Sequence, residues 1–142
     1  MIVLDTTVLV YAVGADHGLR EPCRELIGAI ADGRVPATTS VEVLQEFTHV
    51  RARRRGREDA ARLARDYLDL LAPLLVVGEA DLQEGLRLYT RSDRLGAFDA
   101  VLAATATRTS SAALVSADAA FAQTGVRHIV PDARGVAELL AA

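Results

Sequence analysis

Short apolar runs alternate along this chain with longer segments whose apolar residues recur at helical spacing. That alternation is the signature of βαβ units and predicts an α/β fold with a short parallel sheet. IVLD (2–5) is the first expected strand, and PATTS (36–40) a second with its turn. Further strands are expected at LLVV (74–77), ALVS (113–116) and HIV (128–130). Helices are expected over 22–30, ending near Gly33, and over 41–55. Beyond Gly56 the helical period resumes over 58–71, and Pro73 stops it. Three more helices are expected over 79–90, 97–107 and 134–140. No linker, repeat or low-complexity tract divides the chain, so residues 1–142 read as a single domain.

One polar residue breaks the first apolar run. Asp5 stands in the middle of IVLDTTVLV, where an ionised carboxylate is costly to desolvate unless it is paired, hydrogen-bonded or bound to a cation. As a local alternative, it caps a turn or short helix starting at Thr6. Asp118 lies two residues past Ser116 in ALVSAD and invites the same two readings. Both acids follow strands, and sites in open parallel sheets form outside the carboxyl ends of the strands. Asp99 is more telling, because GAFDAVLAATATR is otherwise apolar apart from its threonines, and a charge within a buried Ala-rich helix needs a partner.

The helix over 41–55 offers Glu42 and Glu46. Its apolar face comprises Val41, Val43, Leu44, Phe47 and Val50, which puts Glu46 on the flank and Glu42 nearly opposite the core. Thr39-Ser-Val-Glu42 fits a capping box, giving Glu42 a local task, so Glu46 is the expected site residue. Four acids on separate elements suit a hard divalent cation, Mg²⁺ or Mn²⁺, which would offset their mutual repulsion. No zinc set competes: His17, His49 and His128 are scattered, and Cys23 is the sole cysteine.

Composition narrows the chemistry. All 16 basic residues are arginine, so Schiff-base lysine chemistry and a Walker-type phosphate lysine are excluded. The net charge of −3 does not by itself announce a nucleic-acid partner. The lone cysteine, the lack of a basic leader and of a long apolar segment point to a cytoplasmic protein with no membrane span. RARRRGR (51–57) concentrates positive charge at a helix end, where it complements the dipole and offers Arg51, Arg54 and Arg55 for phosphate contacts. Arg54 is eight residues from Glu46, roughly 12 Å along a helix, which suits a contact beyond the acids themselves. Ala60, Leu63, Ala64, Tyr67, Leu68 and Leu71 share a helical face that reads as core.

LDTTVLV, SVEVLQEF, FDAVLAATA and LVSADAAF, in that order from residue 2 to about residue 130, resemble PIN-domain ribonucleases, and among them the VapC-type toxins of bacterial toxin–antitoxin modules. The resemblance implies a three-layer α/β/α fold and a metal-dependent endoribonuclease. It implies Asp5, Glu46, Asp99 and Asp118 as the acidic metal-binding set, with Thr6 and Ser116 at the small hydroxyl positions. Position 7 is Thr, where relatives often carry Asn or Ser. An RNA substrate, a cognate antitoxin that inserts an arginine among the acids, and a homodimer are implied as well. Two other readings are a catalytically silent PIN-like module that binds RNA or protein, and a phosphoryl-transfer enzyme with an aspartate nucleophile. The intact acidic set weighs against the first. Against the second, DTT lacks an acid two residues after Asp5, and the chain lacks lysine.

Overall fold

A computed structural model describes residues 1–142. Its frame is a four-stranded parallel sheet in the order β2-β1-β3-β4. The strands are β1 (Ile2–Leu4), β2 (Ala37–Thr38), β3 (Ala113–Val115) and β4 (His128–Ile129). Seven α-helices accompany them: α1 (Thr6–Val13), α2 (Arg20–Ala31), α3 (Val41–Arg55), α4 (Arg57–Leu71), α5 (Glu79–Arg91), α6 (Ala97–Arg108) and α7 (Ala133–Ala141). The chain leaves β1 in one direction to reach β2 and crosses back over β1 to reach β3. Right-handed crossovers place the intervening helices on opposite faces, which yields the helix–sheet–helix layering. α7 returns to pack on α2.

The two central strands, β1 and β3, are short and wholly apolar because both faces are covered. Ile2, Val3 and Leu4 pair with Ala113, Leu114 and Val115, and all six are buried. Val8, Leu9, Leu26, Phe47, Leu71 and Phe121 complete one continuous core, each fully buried side chain worth roughly 1.5–3 kcal/mol relative to exposure. Gly85 lets α5 lie on α6: a Cβ there would fall 2.8 Å from the Val101 Cα.

TTVLVYAV forms α1, a helix starting at Thr6 as the local alternative for Asp5 allowed, and burial of Val8, Leu9 and Ala12 outweighs its β-branched propensity. The structure departs from the sequence expectations elsewhere. LLVV (74–77) is no strand, making only a single bridge between Ser40 and Leu75, and Val76 is exposed. The proposed capping box is also displaced by one residue. Ser40 is the N-cap of α3 and its Oγ accepts from the Val43 N–H at 3.2 Å, while Thr39 donates instead to the Leu4 carbonyl at 2.7 Å. Glu42 therefore has no capping role. It is half-buried rather than turned away from the protein, in a recess with Val77, Leu82 and Phe98, and its Oε2 has no hydrogen-bond partner.

Candidate active site

Because the chain reverses direction across the sheet between β1 and β3, their carboxyl ends open a crevice at the topological switch point. A cavity of about 340 Å³ occupies it, lined by Asp5, Thr6, Thr7, Val10, Tyr11, Glu46, Val50, Arg54, Asp99 and Asp118. All four acids singled out in the sequence meet here. They come from the end of β1, the middle of α3, the first turn of α6 and the segment after β3. Glu42 does not reach this cavity.

Asp5 forms the floor. It precedes α1 at the N-cap position but gives no side-chain cap, so the local reading of this residue fails. Its Oδ2 instead accepts hydrogen bonds from the Ser116 hydroxyl at 2.7 Å and the Thr7 hydroxyl at 3.1 Å. With the carboxylate only 4% exposed, these bonds supply part of the solvation it has lost. Ser116 Oγ also accepts from the Asp118 N–H at 3.0 Å, and Thr7 Oγ1 from the Ala117 N–H at 3.0 Å. The two hydroxyls thus lace the start of α1 to the loop beyond β3. Beneath that loop, His128 Nε2 lies 2.8 Å from the Ser116 carbonyl. The resemblance singled out position 7 but left the role of Thr7 open, and its hydroxyl makes the bonds to Asp5 and Ala117.

Glu46 stands on the exposed flank of α3, where Thr6 Oγ1 donates to its Oε2 at 2.7 Å. Asp118 serves twice. Its Oδ1 accepts from the Ala120 N–H at 2.9 Å, capping a short 3-10 turn, while the side chain still borders the cavity. Asp99 is half-buried, and its pKa is pushed up to about 7. Burial is the largest cause, followed by the charges of Asp5, Asp118 and Glu46 and a hydrogen bond with Asp118.

The arginines part company. Arg51 turns inward: its Nε donates to Asp59 at 2.5 Å and its Nη1 to the Val13 carbonyl at 2.9 Å. It joins α3 to α4 and to the end of α1, so it is withdrawn from solvent. Arg54 lines the acid cavity itself and is the one cation in that lining. Arg55 lies exposed at the helix end.

No three carboxylate, imidazole or thiol side chains stand close enough to form a finished ligand shell as they are. The donor set nonetheless fits a hard divalent cation. All four acids supply oxygen, one of them is destabilised as an anion by the other three, and there is no nitrogen or sulfur donor in the lining.

The PIN-domain family model matches residues 2–126. Ribonuclease VapC7 of Mycobacterium tuberculosis is 54% identical over 145 aligned positions, spanning 99% of this chain and 98% of that protein. Among solved structures, VapC20 of Mycobacterium tuberculosis, described as a Sarcin-Ricin loop cleaving toxin, aligns with a TM-score of 0.75 at 19% identity. That alignment covers 89% of this chain and 96% of VapC20. FitAcB from Neisseria gonorrhoeae aligns with a TM-score of 0.74 at 20% identity, covering 92% and 98% of the two chains. At these identities the solved structures speak for the fold alone.

Proposed function

The chain belongs to the PIN-domain family, and on that premise we propose that it is a Mg²⁺- or Mn²⁺-dependent endoribonuclease, the toxin of a toxin–antitoxin pair. One observation carries the reading: Asp5, Glu46, Asp99 and Asp118 converge on a single cavity at the β1/β3 switch point. A relative 54% identical over nearly the whole chain and named a ribonuclease supports it.

Asp5 and Asp99 would hold the principal ion, with Glu46 and Asp118 completing its shell or orienting water. When bound there, a divalent ion offsets negative charge on the reacting phosphate and lowers the pKa of the attacking water. The protein's own part is positioning. Thr7 and Ser116 fix the Asp5 carboxylate, Thr6 holds Glu46, and Arg54 meets the phosphate backbone from the cavity wall. Arg55 extends that positive charge outward. The decisive assay is cleavage of single-stranded RNA by the purified chain. Cleavage is expected with Mg²⁺ or Mn²⁺, and not in EDTA or with Asp5→Asn or Asp99→Asn. Cation-independent cleavage, or full activity in both variants, would reject the assignment.

The same acids attract an inhibitor's arginine, since charge-assisted bidentate pairs are strong, and a cognate antitoxin is the partner this implies. Leu82, Leu86 and Tyr89 on α5 and Phe98 on α6 leave an exposed apolar strip that supports association with a second copy. The single cysteine, buried and unpaired, suits the reducing cytoplasm, and no helix is long and apolar enough to cross a membrane.

A further inference from the structure

Aromatic rings are scarce in this chain, which has three Phe, three Tyr and no Trp. Phe47 and Tyr67 meet edge to face inside the core, and Phe121 is also buried. Tyr67 further spends its hydroxyl on the Leu9 carbonyl at 2.9 Å. Tyr11 is placed differently. It lies near the end of α1 and is half-buried, packing against the core on one side and lining the acid cavity on the other. His17 stacks on it, with ring centroids 4.3 Å apart and planes 21° from parallel. The imidazole is itself held in place, because its Nδ1 accepts the Leu19 N–H at 3.1 Å. His17 is exposed, so the stack runs from the cavity wall to solvent.

We infer that the Tyr11–His17 pair is a stacking platform for an RNA base next to the phosphate held among the acids. The inference rests on the ribonuclease reading above and adds a base-binding subsite to it. Flat, preoriented rings beside a phosphate-binding cavity are what an unpaired base needs, since stacking on Tyr or His tolerates any base and requires no groove. Arg54 on the same cavity provides the adjoining backbone contact. Packing of Tyr11 against the core fixes the inner ring, while the pair borders the acids and ends in water at His17.

Steady-state cleavage of a short single-stranded RNA tests this, using the intact oligonucleotide and versions with an abasic residue at each position in turn. Tyr11→Ala is expected to raise KM about tenfold with a smaller change in kcat, while Tyr11→Phe keeps both. For the wild-type chain one abasic position raises KM by a similar factor, and in Tyr11→Ala that penalty disappears, a coupling that mere destabilisation would not produce. His17→Ala, at an exposed site, is expected to raise KM several-fold and keeps the test open should Tyr11→Ala fold poorly. Unchanged KM in His17→Ala and Tyr11→Ala, or an abasic penalty that persists in them, overturns the platform while leaving the ribonuclease intact. Failure of the wild-type chain to cleave RNA with either cation overturns both.

Discussion

Ser116 Oγ and Asp5 Oδ2, 111 residues apart in the chain, lie 2.7 Å apart in the fold. That bond ties the carboxyl end of β1 to the carboxyl end of β3 and aims the most deeply buried acid of the cavity. Ser116→Ala removes the donor without disturbing the strand. We expect activity or cation affinity to fall about tenfold, the usual cost of losing a hydrogen bond that orients a ligand, with the fold unchanged by circular dichroism. Thr7→Val is expected to act in the same direction. Undiminished activity in both would show that Asp5 needs no such support.

Asp99 makes the cation-free protein sensitive to pH. Its pKa is raised from the ordinary 3.8 to about 7, so between those values the folded chain keeps a proton that the unfolded chain has released. This group's stabilising contribution is complete at low pH and is lost as pH rises toward 7. In EDTA, melting temperature should therefore fall between about pH 5 and about pH 8 by more in the wild-type chain than in Asp99→Asn. Adding Mg²⁺ at the higher pH should restore stability to the wild type, because the ion binds the folded state alone. Identical pH profiles would contradict the burial of Asp99 and the crowding of acids around it.

Stability elsewhere rests on a different carboxylate. Asp81 is 2% exposed and grips Arg108 through two bonds, Nε to Oδ1 at 2.7 Å and Nη2 to Oδ2 at 2.9 Å. It also accepts the Gly78 N–H that opens α5, and Arg108 reaches the Val76 carbonyl. Hydrogen bonding to Arg108 holds Asp81 below the ordinary carboxylate range, so its contribution is present above the unfolded pKa and lost as pH falls through the folded one. Arg108→Ala should cost about 2 kcal/mol in urea denaturation, since it strands a buried acid, while leaving RNA cleavage per folded molecule unchanged. A cost within the range of an ordinary surface substitution would refute the clamp.

Cys23 should be inert. It is fully buried on α2, and burial pushes its thiol up to about 12. Iodoacetamide at about pH 8 is expected to leave the native chain unlabelled and to label it once in urea, read by mass spectrometry. Rapid labelling of the native chain would mean that α2 opens readily.

Much of this was legible in the residues. Strands β1 and β3 announce themselves as unbroken apolar runs, and the acids that follow them mark the sheet's carboxyl edge. Asp99 betrays itself as a charge in an otherwise apolar helix, and the flank position marks Glu46 on α3, although the same projection misplaced the half-buried Glu42. What escaped depends on contacts distant in sequence. The sequence offered helix α1 only as a turn or short helix after Asp5, because its β-branched residues oppose a helix until tertiary burial decides. The 74–77 run has strand composition but finds one bridge rather than a neighbouring strand. Thr39 was the expected cap of α3, but the Leu4 carbonyl, 35 residues away, claims its hydroxyl and Ser40 caps the helix instead. Likewise nothing local tells that Arg51 is consumed by Asp59 and Val13 while Arg54 faces the acids.

Calorimetric titration of Mn²⁺ into the metal-stripped chain tests directly whether Asp5, Glu46, Asp99 and Asp118 make one cation site. The account predicts binding by the wild type, weakened at least about tenfold by Asp5→Asn or Asp99→Asn. Glu42→Gln, on the same helix as Glu46 but outside the cavity, should bind as the wild type does. Equal Mn²⁺ affinity in wild type, Asp5→Asn and Asp99→Asn, or weakening by Glu42→Gln alone, would contradict it.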